Sequence, residues 1–522
     1  MNGFQVKFVS NLLGGNDLNK SLKIYYTSDT HGYIFPTDYV SKEEKAMGVL
    51  SCISEFEKDG NTLILDGGDT IQGSAFSKYM WENQTDGCVI AEAFNRGQYD
   101  YVTMGNHDFN YDYKGVERYL GTLEAQCVLA NVVDRTGKLG IKPYVIHTLE
   151  NGIKVGLVGL VTDYVTLWEK PEHLKNFDVQ DTYEVAKRTL EEIKDKCDIT
   201  VCIYHGGFEC DLETGVSLAK GKENVGYRIC KELDFDILLT AHQHMPVEGR
   251  MLHGTYTLQL PSNAQKYACI EVNVSKENQL EFSAQCVAPG AASISDAPKE
   301  WVAMNEAVQS WLDKKLGSFT EEIPALGKLE LALHGSRLAD FCNQLQLEYT
   351  GADFSCISLG NNPIGFNREV TTRDVMAAYQ FPNTIKVLEV DETVLRQALE
   401  RCGEYYTLQD GEVVISDCFI NPKVEHYNYD FFAGFSYTFD LTKPVGQRVV
   451  EINRDGKPLG DKKYTIAMSD YRATGTGGYE CYQSCPLVKE YGVDIQELAI
   501  EYIKKHQEVQ IMEKPDFKII YS

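Results

Sequence analysis

The sequence predicts two α/β-type units in series: a layered α/β domain with sheets flanked by helices, a connector helix, and a C-terminal α+β domain. Three observations carry this. The chain has 522 residues, beyond the ~250–300 at which a single hydrophobic core stops growing. From Leu22 to about Thr240 short apolar runs alternate with amphipathic segments, the pattern of strand–helix repetition. The small-residue and proline stretch APGAASISDAPKE, ending at Glu300, then interrupts that pattern. These breaks divide the chain into an N-terminal extension (1–21), a first domain (22–298), a connector (299–318) and a second domain (319–522).

The predicted strands of the first domain are Leu22–Thr27, Asn61–Leu65, Tyr101–Met104, Lys154–Leu160, Ile199–Tyr204 and Asp236–Thr240. Between them GVLSCISEFEKDG and TYEVAKRTLEEIKDKC repeat apolar residues at three- and four-residue spacing, which predicts helices. From Tyr256 to about Val287 the alternation is strand-like, consistent with a sheet edge closing the domain. One amphipathic helix comes next, from Glu300 to about Leu316. Beyond Glu321, SRLADFCNQLQLEY and DETVLRQALERCGEYY read as helices, and TIKVLEV, FSYTFDL and KYTIAM as strands.

Composition narrows the function classes. Hydrophobic residues make up 43% and charged residues 24%, the profile of a folded globular chain. With 50 Lys and Arg against 76 Asp and Glu, the net charge is −26. A nucleic acid polymer is therefore excluded as a non-specific partner, because phosphate neutralisation needs excess Lys and Arg. Small nucleotides remain compatible. No apolar run reaches the ~18–20 residues that span a bilayer, and no usual signal peptide is read at the N-terminus. The 15 cysteines contain no C-x-x-C pair and read as small buried hydrophobes. A reducing cytoplasm, no membrane and no obligate protein partner are expected.

The informative residues stand directly after the predicted strands. Ser28-Asp29-Thr30-His31-Gly32, Asp66-Gly67-Gly68-Asp69, Gly105-Asn106-His107-Asp108, His205-Gly206-Gly207 and Ala241-His242-Gln243-His244 each begin where a strand ends. Open α/β sheets build their sites at those carboxyl ends. Carboxylate, imidazole and amide oxygen together suit divalent ions of the manganese, zinc, iron or cobalt kind. Two ions roughly 3.5–4 Å apart would activate water and neutralise phosphoryl oxygens, so no nucleophilic side chain is needed. Five of the 11 histidines sit in these motifs. His147, His173, His253, His334, His426 and His506 have no such setting and are read as structural.

In this order D-x-H, G-G-D, G-N-H-D/E, H-G-G and H-x-H resemble the calcineurin-like metallophosphoesterases, and the second half resembles the C-terminal domain of the 5′-nucleotidase family. The resemblance implies a dinuclear-metal phosphoesterase. Asp29, His31 and His244 would hold one ion and Asn106, His205 and His242 the other, with Asp69 bridging. His107 would not ligate but would face the substrate phosphate, stabilising charge or protonating the leaving oxygen. The 5′-nucleotidase and UDP-sugar hydrolase branch typically continues G-N-H-E-F-D; here Asn110 stands where that Asp would pair with the catalytic His. His107-Asp108-Phe109-Asn110-Tyr111 instead resembles the 2′,3′-cyclic-nucleotide 2′-phosphodiesterase/3′-nucleotidase branch.

Tyr379–Thr384, Phe419–Pro422, Tyr427–Asp430 and Ser469–Tyr479 resemble segments of the same branch. By that likeness Tyr427 and Tyr471 would sandwich the nucleotide base, while Phe431, Phe432 and Phe435 read as core. Gly360–Phe366 departs from the 5′-nucleotidase N-G-G-G-I-R segment and carries no Arg in register; Arg368 and Arg373 downstream read as solvated charges. The favoured substrates are 2′,3′-cyclic nucleotides and 3′-nucleotides. The rivals are a 5′-nucleotidase or nucleoside-diphosphate-type hydrolase, and an inactive nucleotide-binding protein.

Overall fold

A computed structural model describes residues 20–83, 87–217, 222–277, 279–379, 383–421, 423–512 and 517–521. Apart from Lys20 and Ser21, the N-terminal extension lies outside them, as do Gln380–Pro382 and Pro422 of two motif segments. Fourteen strands build the first domain: β1 (Lys20–Thr27), β2 (Thr62–Asp66), β3 (Tyr101–Val102), β4 (Gln126–Cys127), β5 (Val132–Asp134), β6 (Tyr144–Thr148), β7 (Lys154–Val161), β8 (Phe177–Val179), β9 (Ile199–His205), β10 (Ile237–Thr240), β11 (Val247–Leu252), β12 (Thr255–Gln259), β13 (Tyr267–Val274) and β14 (Leu280–Val287).

These form two six-stranded sheets, ordered β14-β13-β1-β2-β3-β4 and β11-β12-β10-β9-β7-β6; β5 and β8 pair separately. β1 to β4 run parallel, as do β7, β9, β10 and β12. The sheets pack face to face. Leu22, Ile24 and Tyr26 of β1 meet Val155, Leu157, Val201, Ile203 and Leu239 of the second sheet in one buried cluster. The Tyr26 hydroxyl donates across it to the Thr240 carbonyl at 3.1 Å. Helices cover the outer faces, so the central strands are apolar on both sides and read as continuous hydrophobic runs.

Three predicted boundaries shift. The β3 ladder stops at Val102 rather than Met104. The helix in GVLSCISEFEKDG covers only Val49–Ile53. The connector helix spans Lys299–Leu312 and ends in Asp313; Lys315–Phe319 is instead a strand pairing with Glu369–Thr371 and Glu508–Val509. Leu316 and Phe319 are buried in that strand; their three-residue spacing is also that of a helix, so the apolar pattern alone did not mark the change.

The second domain is centred on a five-stranded sheet ordered 430–433, 354–358, 464–469, 384–390, 487–494. Strand Asp430–Ala433 runs antiparallel to Phe354–Ser358, which is parallel to Tyr464–Ser469. The start of the first and the end of the last therefore share one edge, and Tyr427 and Tyr471 flank those two points. Arg472, beside Tyr471, joins the two segments. Its guanidinium donates to the Tyr427 carbonyl at 3.0 Å and to Asp430 at 2.9 Å. Arg373 is not solvated as expected. It donates to the Tyr39 carbonyl (2.8 Å), Gln309 (2.8 Å) and Asp313 (2.7 Å), tying the second domain to the connector and the first. Arg368 is exposed. Among the described residues no helix is long and apolar enough to cross a membrane.

Candidate active site

β1, β2 and β3 of the first sheet and β9 and β10 of the second direct their carboxyl ends to one place. The loops after β1 and β2 are zipped together: Asp29 N donates to the Gly68 carbonyl (2.9 Å), His31 N to Asp69 (2.8 Å) and Gly32 N to Thr70 (2.7 Å). That pairing holds Asp29, His31 and Asp69 at φ of 51°, 48° and 55°, and His242 and His244 stand at 71° and 55°. Left-handed conformations at non-glycine residues cost about 1–3 kcal/mol each and cluster at functional sites. Gly105 is obligatory here, because a Cβ would lie 2.1 Å from Asp69 Oδ1 and 2.5 Å from His205 Cε1.

Donor atoms of Asp29, His31, Asp69 and His244 lie within 4.8 Å of one another, and so do those of Asp69, His205 and His242. Asp69 belongs to both groups. His31 Nδ1 is engaged by the Gln72 carbonyl at 2.8 Å and His205 Nδ1 by that of Gly67 at 2.7 Å, which turns each Nε2 toward the cluster. His31 Nε2 and His244 Nε2 stand 3.1 Å apart, and His205 Nε2 lies 3.2 Å from Asp69 Oδ2. Four buried atoms of this cluster have no hydrogen-bond partner: Asp29 Oδ2, Asp69 Oδ2, Asn106 Oδ1 and His205 Nε2. Unsatisfied buried polar atoms cost about 1–3 kcal/mol each, and cations held by the two donor groups would satisfy them. The donor set fits divalent metal.

The electrostatics of Asp29 and His31 suit ligation. Burial opposes ionisation of Asp29, but the facing His244 holds it down at about 2. Burial lowers His31 to about 4 despite Asp69 beside it, so its imidazole is neutral and free to ligate at neutral pH. For His205 burial also favours the neutral form, yet Asp69 overrides it and raises the ring to about 9.

Several contributors were not legible in the sequence. Asp108, fully buried, accepts from the backbone N–H of Asp69 (2.9 Å), Thr70 (2.8 Å), Ile71 (2.9 Å) and Gly105 (2.8 Å), fixing the loop that presents Asp69. Glu223 accepts from His242 Nε2 at 2.9 Å, leaving Nδ1 as that ring's free nitrogen. His107 donates its N–H to Asp69 Oδ1 at 2.8 Å. Its ring lies 5.6 Å from that of His31, and its Nδ1 meets Asn110 Oδ1 at 2.9 Å. The spacing of His107 and Asn110 around the turn His107–Phe109 was the available signal for that pair.

The second domain closes over this cluster. Tyr427 and Tyr471 are partly buried. Burial raises both phenols, and each also feels Glu223 of the first domain. Lys423 lies beside Tyr427, its ammonium 5.6 Å from the centre of that ring. Burial lowers the Lys423 amine against the opposing pull of Glu425, Glu223 and Asp29. The amine therefore faces acidic groups of both domains.

Residues 22–246 match the calcineurin-like phosphoesterase family and residues 317–484 the 5′-nucleotidase C-terminal domain. A provisionally assigned 5′-nucleotidase of Staphylococcus aureus, solved with alpha-ketoglutarate, is 30% identical with a TM-score of 0.88, over 96% of this chain and 100% of its own. The trifunctional nucleotide phosphoesterase YfkN of Bacillus subtilis is 24% identical over 94% of this chain, which spans only 38% of that protein. A 2′,3′-cyclic-nucleotide 2′-phosphodiesterase/3′-nucleotidase of Haemophilus influenzae is 22% identical over 87% of this chain and 80% of its own. The chain belongs to the calcineurin-like metallophosphoesterases that carry a 5′-nucleotidase C-terminal domain. It is a hydrolase of phosphoester bonds of the kind that uses two divalent metal ions.

Proposed function

We propose that the protein hydrolyses nucleotide phosphoesters in the cleft between its domains, with 2′,3′-cyclic nucleotides and 3′-nucleotides as preferred substrates. The carrying observation is the continuity from the Asp/His cluster through His242 and Glu223 to Tyr427 and Tyr471. That line supports a nucleotide held with its phosphate at the cluster and its base beside the two tyrosines. Asp29, His31 and His244 would hold one ion and Asn106, His205 and His242 the other, with Asp69 common to both. Bound ions supply Lewis acidity that activates water and neutralises the phosphoryl oxygens.

The chain's own residues do the rest. His107, with Nδ1 engaged by Asn110, uses Nε2 to deliver a proton to the leaving ester oxygen. Tyr427 and Tyr471 stack on the base, an interaction that tolerates any base. Lys423 supplies the phosphate counter-charge for which no Arg is in register. Asn110 beside His107, and the cyclic-phosphodiesterase relatives, favour the 2′,3′-cyclic and 3′ reading; the likeness to the S. aureus protein favours a 5′-nucleotidase as the second. A reducing cytoplasm is part of the same proposal, a setting with which cysteines held as thiols are consistent.

A panel of cyclic, 3′- and 5′-nucleotides assayed with Mn²⁺ and with Zn²⁺ separates the two readings. The first expects kcat/KM for cyclic and 3′ substrates to exceed that for 5′ by at least about tenfold, a difference of ~1.4 kcal/mol. A reversed order gives the chain to the 5′-nucleotidase reading. In the same assay Tyr471→Ala raises KM for nucleotides by about one to two decades and hardly changes a baseless aryl phosphodiester. Equal damage to both substrates would make Tyr471 a packing residue. Lys423→Ala raises KM for both, because the phosphate is common to them; an unchanged KM removes Lys423 from the phosphate site.

A further inference from the structure

The segment after β7 contains the short helix Val165–Trp168 and then Glu169, and it touches the active site twice. The Trp168 ring stacks on His242, with centres 5.4 Å apart and planes 22° from parallel. The Glu169 side chain, only 5% exposed, accepts from Asn110 Nδ2 through Oε2 at 2.5 Å. Its other oxygen accepts from Lys170 N at 2.7 Å and from His173 Nδ1 at 2.8 Å. An unbroken line of contacts thus runs from His173 through Glu169 and Asn110 to His107 Nδ1.

Hydrogen-bonding capacity fixes the direction of that line. An ionised carboxylate only accepts, so Glu169 must face the NH₂ group of Asn110. The Asn110 oxygen is then the atom that meets His107, and an amide oxygen also only accepts. The proton of neutral His107 must therefore sit on Nδ1, leaving Nε2 as the nitrogen that exchanges protons. An asparagine alone sets neither its own orientation nor a charge. The buried Glu169 supplies the orientation, because its oxygen can only accept from the amide NH₂.

The geometry points to Glu169 as the positioning residue of His107, acting through Asn110 to set the ring's tautomer and to aim Nε2, the nitrogen that serves the leaving oxygen. His173 and Lys170 hold Glu169 in place. The inference about turnover rests on the reading of His107 as proton donor; the tautomer does not.

Glu169→Gln keeps the shape and removes the charge. Outer partners of site residues are typically worth 10–100-fold in activity, so kcat for a nucleotide should fall by about that factor with KM and metal content unchanged. Bis(p-nitrophenyl) phosphate, whose leaving group needs no proton, should lose less than about threefold. Asn110→Asp alone sets two carboxylates against each other and should also be impaired. Asn110→Asp combined with Glu169→Gln rebuilds the line with the charge moved inward, and should recover to within several-fold of wild type.

Nitrogen-15 spectra of histidine-labelled, zinc-loaded protein supply the second arm. They should place the His107 proton on Nδ1 in wild type, with Asn110→Ala releasing it to a mixture of tautomers. An unchanged kcat in Glu169→Gln, an equal loss on both substrates, or a double variant no better than the product of its singles would overturn the inference, as would an Nε2–H tautomer in wild type. If Asn110→Ala shifts the tautomer while His107→Ala leaves nucleotide turnover intact, the positioning stands and the proton-donor reading fails.

Discussion

Asp69→Asn is expected to leave the purified protein with at most one divalent ion per chain and to lower turnover by at least ~10²–10³-fold, the loss that attends removal of a single charge-stabilising group. Asp69 is the residue common to both donor groups, and its Oδ2 is buried without a partner. Its Oδ1 is already committed to the His107 N–H at 2.8 Å. An asparagine that keeps that bond must turn its NH₂ toward the ions, replacing an anionic acceptor by donors. The donor groups draw on both sheets, so ions held there link the sheets and stabilise the native state by mass action, by ~2.7 kcal/mol at a hundredfold excess over Kd. Wild type should therefore show a metal-dependent rise in Tm that Asp69→Asn largely lacks. Metal analysis is decisive: two tightly bound ions in the variant would end the bridging assignment.

The positions of the donor residues were legible because each comes directly after an apolar run, and the end of a buried strand is where a polar side chain has to serve a site. The division of those strands into two sheets was not legible. The central stretches of β1, β2, β7, β9 and β10 are buried on both faces, and such runs carry no mark of which neighbour they pair with. β3 came out shorter than YVTM because Thr103 and Met104 leave the ladder to bring Gly105 against Gly68, whose own φ is 88°. Arg373 misled for another reason. A charged residue near a helix start is usually solvated, and only the approach of Tyr39, Gln309 and Asp313 from other parts of the chain buries it.

The same limit hid the supporting residues of the site. Glu169 lies 59 positions from Asn110 and Glu223 lies 19 from His242. Neither sits in a recognisable motif, since their positions are set by tertiary contact rather than by spacing. His173, read as structural from the sequence, reaches the line to His107 only because Glu169 is folded between them. In contrast, the helices Arg337–Thr350 and Glu392–Gly403 fall where their apolar periodicity put them. Each also has a side-chain N-cap, Ser336 and Asp391 respectively.

His107→Ala separates ligand from acid. His107 is not part of either close donor group among the described residues, and its contacts are a backbone N–H to Asp69 and a ring nitrogen held by Asn110. Replacing it by alanine preserves the backbone bond that helps to orient Asp69, so both ions should remain. What would disappear is the proposed proton donor, worth about 10²–10⁴ in rate. Turnover of nucleotides should fall by that factor with metal content near two per chain. The loss should be smaller on a nitrophenyl phosphodiester, because nitrophenolate departs without help, and this contrast distinguishes proton delivery from general damage to the cluster. Loss of metal from the variant would instead make His107 a ligand. The two coordination sets would then have to be redrawn around it, with Asn106 the first assignment to yield, because its amide oxygen is the weakest donor of the seven.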